Sequence, residues 1–251
     1  MLALQERFRA LGRELRLRWG RIEGTRRVHE IDVRGLRLSI ADGIDSHAAL
    51  IVASELQRDC YRLEAIDFAP GDVVVDVGGH VGLVSCALAR WFPFITIYTF
   101  EPVPETYRNL VFNLSQNGIA NVRPFPCGLS SDGRTIELAV PATNTGGASC
   151  LRRAMVLPRH TVVRSPSWTL DSVFEEYGID RCKLLKIDCE GAEHEILLGS
   201  RCLERVEHLR GEFHCNRLLL ERGYSIEGLL DHCARFIPAA NILVDRLEMG
   251  E

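Results

Sequence analysis

Acidic and basic side chains follow several short apolar runs of this chain, at positions where a strand of a sheet would end. These residues are Asp76, Glu101, Asp188, Glu190, Glu212 and His214. Carboxylates accept hydrogen bonds from hydroxyl groups and balance positive charge, and a histidine beside a carboxylate can accept a proton. These residue types therefore favour a ligand with hydroxyl or cationic groups, with acid–base chemistry next to it.

Two pairs of these side chains are spaced two residues apart, so each pair would project to one side of a strand. The pairs are Lys186 with Asp188, and Glu212 with His214. A lysine inside a buried strand is costly unless it is paired, so Lys186 either faces a substrate or cofactor or forms an internal salt bridge. His214 is either a proton acceptor or a structural histidine with its hydrogen bonds satisfied.

A divalent cation is a further interpretation of the same side chains. Asp188, Glu212 and His214 offer oxygen and nitrogen ligands for one. No spacing rule supports a metal site here, so we assign no metal ligand. His194 falls on the helix predicted after Asp188, where we expect it at the surface.

The stretch from Gly71 to Pro102 contains the elements that would position the first two acids. Val73 to Val77 is short and β-branched, which predicts a buried parallel strand, and Leu83 to Trp91 predicts a helix. Ile95 to Phe100 predicts the next strand, which ends at Glu101, where an acid can accept hydrogen bonds from both ribose hydroxyls. The turn between the first strand and the helix contains Gly78, Gly79, His80 and Gly82.

The turn does not have the pattern of a dinucleotide or triphosphate site. Gly-x-Gly-x-x-Gly and Gly-Lys-Ser/Thr are both missing, and Asp76 at the strand end would repel a pyrophosphate. A carboxylate there suits a ligand with cationic groups, and S-adenosylmethionine has a sulfonium and an ammonium beside its ribose. The alternative is a turn whose glycines only permit tight packing.

The rest of the chain alternates predicted strands and helices, which indicates an α/β fold with a doubly wound, mainly parallel sheet. We expect an N-terminal extension, residues 1–68, with a helix over Leu2 to Trp19 and a β-hairpin around Gly35. Residues 69–251 would form the Rossmann-like domain. Pro141 to Pro166 has little periodicity and predicts a long loop of the kind that binds or covers ligands.

Composition narrows the class of protein. The chain has 251 residues, of which 46% are hydrophobic and 25% charged, and its net charge is −4. These values are ordinary for a globular protein and give no reason to expect nucleic acid as a partner. The nine cysteines include no Cys-x-x-Cys pair, and no apolar run approaches the ~18 residues of a membrane span. We therefore expect a cytoplasmic protein with reduced cysteines.

Four motifs together resemble the FkbM family of class I S-adenosylmethionine-dependent methyltransferases, over roughly residues 69–214. They are Asp76-Val-Gly-Gly-His-Val-Gly82, Phe100-Glu101-Pro, Thr169-Leu-Asp-Ser and, most distinctive, Lys186-Ile-Asp-Cys-Glu-Gly-Ala-Glu193. The resemblance implies methylation of a hydroxyl group on a secondary metabolite or saccharide. The family more commonly has Gly-Ala-Asn where this chain has Gly78-Gly79-His80, which leaves the contact of His80 open.

The resemblance also implies roles for individual residues. The Asp76–Gly82 turn would hold the amino-acid part of the cofactor, Glu101 its ribose and residues 127–129 its adenine. Asp188 would face the reacting centre. We expect His214 to act as the base, oriented by Asp188 or Glu212, with the loop of residues 141–166, including Asn144 to Ser149, closing over the acceptor.

Two other classes of protein share parts of this pattern. A catalytically silent S-adenosylmethionine-binding module would keep the glycine turn and Glu101, and a nicotinamide-dependent oxidoreductase would keep the half-fold. The expected partner is a small hydroxyl-bearing acceptor, with association between copies through the N-terminal helix as an option. The sequence does not identify the acceptor.

Overall fold

The computed structural model describes residues 18–141, 145–149 and 160–248. In chain order the strands are β1 (Arg18–Glu23), β2 (Arg26–Val33), β3 (Leu36–Gly43), β4 (Val73–Val77), β5 (Thr96–Phe100), β6 (Val122–Phe125), β7 (Gly128–Leu129), β8 (Ile136–Pro141), β9 (His160–Ser165), β10 (Ser167–Trp168), β11 (Cys182–Ile187), β12 (Val206–Cys215) and β13 (Ile242–Glu248). The helices are α1 (Ala48–Gln57), α2 (Leu83–Trp91), α3 (Pro104–Gln116), α4 (Leu170–Glu176), α5 (Glu193–Gly199), α6 (Arg217–Glu221) and α7 (Ile226–Cys233).

Six parallel strands form the main sheet, in the order β13-β12-β11-β4-β5-β6. This confirms the predicted α/β class with a parallel, Rossmann-like sheet. The chain builds outward from β4 in one direction and then returns to β11 on its other side. In such sheets ligands bind outside the carboxyl ends of the strands, at the point where the order reverses. The register places Lys186 of β11 beside Asp76 of β4 at this point.

The first three strands form a separate antiparallel sheet, β1-β2-β3. The predicted hairpin is confirmed as β2 and β3, which meet at Arg34 and Gly35. Arg18 and Trp19 lie in β1, so the helix predicted to end at Trp19 is wrong for these two residues. Residues 2–17 of that helix lie outside the described residues. Arg18 pairs with Glu30 of β2, and the register of the two strands shifts between Arg18 and Arg21.

The antiparallel sheet packs against the main domain through a shared core. Buried Ile31 and Leu38 belong to the same hydrophobic cluster as Val74, Leu88 and Ile97. Residues 18–68 and the parallel sheet therefore bury apolar surface against each other. The division of the chain into an extension (residues 1–68) and a Rossmann-like domain (residues 69–251) remains a prediction.

Asn113 of α3 links the two parts by hydrogen bonds. Its Oδ1 accepts the backbone N–H of Ala41 at 2.7 Å, and its Nδ2 donates to the carbonyls of Ala41 at 2.9 Å and Val81 at 2.8 Å. The side chain is fully buried, and each of its bonds satisfies a backbone group that would otherwise be costly to bury. The turn after β4 is thereby tied to β3.

The segment expected to be one long loop, Pro141 to Pro166, is partly a strand. His160–Ser165 forms β9 and pairs antiparallel with β8. The alternation in His-Thr-Val-Val-Arg-Ser supports an edge strand once β8 lies beside it. Thr145–Gly147 forms a short 3₁₀ turn, and a bridge joins Ser149 to Ala139. Asn144 lies outside the described residues.

The helix predicted after Asp188 is α5. It ends at Gly199, and the chain then makes a 3₁₀ turn at Cys202–Arg205 and enters β12. Helix α6 was not predicted; its N-terminus is capped by Asn216, whose side chain accepts the N–H of Leu219 at 2.9 Å. Val73–Val77 and Leu83–Trp91 match the prediction.

Neither a disulfide nor a membrane-spanning helix is found in the described parts of the chain. The eight cysteines there are all free, and six of them are buried. No described helix has the length and apolar character needed to cross a bilayer.

Candidate active site

The turn after β4 is shaped by close packing against β5 and β11. Gly78 has φ of +79°, and a Cβ there would lie 1.9 Å from the carbonyl oxygen of Asp188. A Cβ on Gly79 would lie 2.0 Å from Oγ1 of Thr99. The N–H groups of both glycines donate to the carbonyl of Phe100, at 3.1 and 3.0 Å. These two glycines are therefore required by packing, whatever the turn binds.

His80 lies in the same turn with a left-handed backbone, φ +50°. It lines the cavity at the carboxyl ends of the strands, and burial lowers the pKa of its imidazole below the ordinary value. Gly82, also left-handed at φ +83°, precedes α2, and a Cβ there would meet Leu110 Cγ at 3.0 Å. The turn thus presents His80 to the cavity, which Gly78 and Gly79 also line, while Gly82 packs against Leu110.

Glu101 is held from behind by two backbone N–H groups. His80 donates to Oε2 at 2.9 Å and Val103 donates to Oε1 at 2.8 Å. The residue is only 6% exposed and lines the cavity. Burial raises the pKa of its carboxyl to about 7. Each oxygen uses one lone pair internally and keeps another, so the carboxylate can accept two further hydrogen bonds from neighbouring hydroxyls.

Both apolar and polar residues line the cavity. Pro102, Gly128 and Leu129 are apolar, and a Cβ on Gly128 would lie 3.4 Å from Cβ of Pro102. Tyr61, Lys186 and Asp188 are polar, and Lys186 lies 3.8 Å from Asp188. Gly146 and Ala148, from the segment between β8 and β9, also contribute. A flat heterocycle suits the apolar residues, and a charged group suits the polar ones.

Asp76 does not lie on the cavity surface; it is fully buried behind the turn. Its Oδ2 accepts hydrogen bonds from Ser85 at 2.7 Å and Thr99 at 3.4 Å, and its Oδ1 lies 3.3 Å from Nζ of Lys186. The expected direct contact with a ligand is therefore replaced by an internal one. A carboxylate at this strand end is needed because the neighbouring strand places a lysine beside it.

Lys186 has one hydrogen bond and two ion pairs within the protein. Its Nζ donates to the carbonyl of Gly78 at 2.9 Å and lies 3.3 Å from Asp76 and 3.8 Å from Asp188. Burial opposes its charge, yet Asp76 and Asp188 hold the pKa of Lys186 above its ordinary value. Of the two interpretations left open by the sequence, the internal ion pair describes this geometry, and the ammonium fixes both the turn and Asp188.

Asp188 reaches the cavity. Its side chain is 25% exposed, more than that of any neighbour in the ion-pair network. Burial raises the pKa of its carboxyl to about 6, Lys186 opposes that rise and Glu212 adds to it. A carboxyl with this pKa is mostly ionised at pH 7 and can still accept a proton, as a general base must.

His214 lies between two carboxylates. Its Nδ1 is 3.1 Å from Oε1 of Glu193 and its Nε2 is 3.5 Å from Oε2 of Glu212. Burial opposes protonation, but the two carboxylates raise the pKa of His214 to about 11. The histidine is 3% exposed and is not part of the cavity lining. The two carboxylates stabilise the protonated imidazole. The geometry therefore does not support the proton-accepting role expected for His214.

Glu193 is the fully buried centre of this network. Its carboxylate accepts the backbone N–H groups of Cys189 and Gly191, each at 2.8 Å, in addition to His214. These bonds fold the Asp188–Glu193 loop back on itself. Glu193 belongs to the most distinctive motif of the sequence, but no role was predicted for it. A signal was present, since an acid at the start of a helix can accept the unpaired backbone N–H groups there.

Side chains of this network also offer ligand atoms for a metal ion. Ligand atoms of Asp188, Glu193 and His214 lie within 4.8 Å of one another. Glu193 already accepts two backbone N–H groups at 2.8 Å, and the imidazole of His214 lies between Glu193 and Glu212. The hydrogen-bonded arrangement therefore accounts for these side chains, and Glu193 takes the place that the sequence suggested for Glu212.

The prediction for His194 is wrong. The residue is 1% exposed and its Nε2 lies 3.0 Å from the carbonyl oxygen of His214. Helix α5 turns this side toward β12, so a histidine expected at the surface packs in the core against Tyr224. Tyr61 and Glu55 were also missed, because no local pattern near them indicates a site.

The chain matches a known family of proteins. The family described as the methyltransferase FkbM domain matches residues 76–225. This range begins at the strand-end acid of β4 and includes the network around His214. The chain therefore belongs to the FkbM methyltransferase domain family and is a methyltransferase.

Individual relatives come from fungi and bacteria. Methyltransferase sdnD of Sordaria araneosa is 30% identical, over 60% of this chain and 68% of its own length. Methyltransferase 1 of Beauveria bassiana is 28% identical, over 71% of this chain and 84% of its own. The 31-O-demethyl-FK506 methyltransferase FkbM of Streptomyces tacrolimicus is 26% identical, over 62% and 70%.

Solved structures resemble the chain more distantly. The precorrin-6y C5,15-methyltransferase of Geobacter metallireducens superposes with a TM-score of 0.41 and 14% identity, over 71% of this chain and 70% of that one. TYW2 of M. jannaschii, in complex with AdoMet, superposes over 42% and 44% of the two chains, with a TM-score of 0.31 and 21% identity. The assignment of the fold rests on the sheet order described above.

Proposed function

We propose that the protein transfers the methyl group of S-adenosylmethionine to a hydroxyl group of a small molecule. The observation that carries the proposal is Glu101: a buried carboxylate on the cavity wall, with one oxygen bound to His80 N and the other to Val103 N. The two lone pairs that remain match the two adjacent hydroxyls of a ribose.

The remaining residues fit the other parts of that cofactor. Pro102, Gly128 and Leu129 would hold the adenine, which is close to the position expected for residues 127–129, although Cys127 is buried behind the lining. The negative end of the cavity at Asp188 suits the cationic sulfonium and ammonium groups. When bound, the cofactor supplies an electrophilic methyl group on a good leaving group, so the protein's task is mainly alignment.

Asp188 is the base in this proposal. It lines the cavity, is partly exposed, and is held in place by Lys186 at 3.8 Å. A base that takes the acceptor's hydroxyl proton contributes about 10²–10⁴-fold to rate. His214 instead fixes Glu193 and Glu212, and through Glu193 the loop that follows Asp188.

The segment between β8 and β9 helps to cover the reacting end. Gly146 and Ala148 line the cavity, and Ser149 Oγ donates to the carbonyl of Glu190 at 2.8 Å. Glu190 has a left-handed backbone, φ +54°, and lies in the loop that Glu193 holds. This contact joins the cover to the base-bearing loop, so both would limit the access of water to the acceptor oxygen.

The test is methyl transfer from methyl-labelled S-adenosylmethionine to hydroxyl-bearing small molecules, with release of S-adenosylhomocysteine measured in parallel. The expected result is labelled ether product that depends on both the acceptor and Asp188. Binding of S-adenosylhomocysteine without turnover of any acceptor would favour the silent binding module. Binding of NAD in its place would favour the oxidoreductase and contradict the proposal.

A further inference from the structure

One wall of the cavity comes from the chain that precedes β4. Ala48 and Val52 of α1 and Tyr61 of the following turn lie on the cavity surface. Ala48, Val52 and Glu55 are spaced by four and three residues, so they share one face of α1. The match to the family begins at residue 76. This wall is therefore built by a part of the chain that the match does not include.

The turn that carries Tyr61 is tightly specified. Asp59 and Arg62, on either side of Tyr61, have left-handed backbones, with φ of +51° and +49°. The carboxylate of Asp59 accepts the N–H of Leu63 at 2.7 Å, which closes the turn. Non-glycine residues keep this conformation only where the surrounding structure fixes it. The result is that Tyr61, 4% exposed, is fixed at the cavity wall.

The hydroxyl of Tyr61 is oriented by Glu55. It donates to Oε2 of Glu55 at 3.1 Å, which leaves the lone pairs of the phenol oxygen free to accept a hydrogen bond. Burial, followed by Asp188 and Glu55, raises the pKa of Tyr61 well above its ordinary value, so the phenol stays neutral. A ligand hydroxyl that reaches Tyr61 would be its natural donor.

The same end of the cavity has an excess of negative charge. Glu55 is half-buried; burial and then Glu212 raise the pKa of its carboxyl to about 7, and Asp188 adds to the rise. The one lysine nearby, Lys186, is already paired with Asp76 at 3.3 Å. An anionic acceptor brought to this end would be repelled by these carboxylates.

We propose that Tyr61 and Glu55 select the methyl acceptor: a hydroxyl-bearing small molecule without negative charge, with a cationic group favoured over a neutral one. Tyr61 accepts a hydrogen bond from a hydroxyl of the acceptor other than the one that is methylated, whose proton goes to Asp188. Glu55 orients Tyr61 and supplies the charge preference. The proposal rests on the methyl-transfer function and adds the class of acceptor to it.

Three matched probes test this without requiring turnover. They are choline, its neutral isostere 3,3-dimethyl-1-butanol, and 3-hydroxypropionate. Binding of each to the full chain saturated with S-adenosylhomocysteine is followed by saturation-transfer NMR and titration at pH 6 and pH 8. We expect choline to bind more tightly than the neutral alcohol and the anion least. The preference for choline should grow between pH 6 and pH 8, since Glu55 ionises over that range together with Asp188 and Glu101 of the cavity lining.

Variants separate the two roles. Tyr61→Phe should weaken both alcohols by about threefold to tenfold, the size of one hydrogen bond, while Tyr107→Phe should not. Tyr107 is the matched control because its hydroxyl donates to the carbonyl of Pro124, away from the cavity. Glu55→Gln should reduce the growth of the choline preference between pH 6 and pH 8 and leave the neutral alcohol nearly unchanged; Asp188 and Glu101 still ionise in the variant and keep the remainder of the pH dependence.

Several outcomes would overturn the proposal. They are equal binding of the three probes, preference for the anion, no binding of any probe at millimolar concentration, or a Glu55→Gln effect confined to S-adenosylhomocysteine. Failure of the wild-type chain to bind S-adenosylhomocysteine would contradict the proposed function itself. Failure of the acceptor proposal is thereby distinguished from failure of the proposed function.

Discussion

Nδ1 of His214 lies 3.1 Å from Oε1 of Glu193, while its Nε2 faces Glu212 at 3.5 Å. An imidazole placed between two carboxylates in a buried position is stabilised as the doubly protonated cation. A doubly protonated imidazole has no free lone pair, so it cannot accept a proton. The role of His214 is therefore to hold Glu193, and this moves the base of the proposed reaction to Asp188.

His214→Asn should destabilise the protein by about 3 kcal/mol near neutral pH, because the substitution leaves Glu193 buried without its cation. The folded pKa of about 11 lies above the ordinary value of 6.5. The stabilisation is therefore complete below pH 6.5 and is lost as the pH rises toward 11. Urea unfolding of both proteins at pH 6.5 and pH 10 should show the difference shrink; a difference independent of pH would contradict this account.

Asp188→Asn should lower kcat by about 10²–10⁴-fold, the contribution of a general base. With a pKa of about 6, Asp188 is in its basic form above pH 6, so wild-type kcat should fall as the pH drops through 6. The variant should lose that limb and bind S-adenosylhomocysteine within a few-fold of wild type. A variant with kcat within twofold of wild type would remove Asp188 as the base.

Removal of divalent cations should leave turnover unchanged, because His214 is protonated and two backbone N–H groups already occupy Glu193. The measurement is turnover before and after dialysis against EDTA. Loss of turnover that added Mg²⁺ restores would show that Asp188, Glu193 and His214 hold a metal after all.

Local pattern was enough to predict the central strand and the helix after it. Val73–Val77 and Leu83–Trp91 are as expected, because a β-branched run and an apolar periodicity each specify their element without help from distant residues. β9 was missed because it needs β8 beside it. Likewise, Trp19 satisfied a helical spacing that the edge of β2 overrode.

The site was predicted in its residue types more than in its contacts. Asp76 and Lys186 were both recognised, but their pairing depends on β4 and β11 being neighbours in register, which follows from sheet order and not from spacing along the chain. The Glu193–His214 pair depends on α5 packing against β12 in the same way. Tyr61 lies in a turn whose importance comes only from the cavity it faces.

The most direct test of the central claim is calorimetric titration of S-adenosylhomocysteine into the wild-type chain and into Glu101→Gln, with Glu137→Gln as the control. Glu137 is an exposed acid of β8 that pairs with Arg164, so its loss should not alter binding. The account predicts that wild type and control bind alike, and that Glu101→Gln binds about 10-fold to 100-fold more weakly, as for loss of a charged hydrogen-bonding group. Equal binding by all three proteins, or no binding by the wild type, would contradict it.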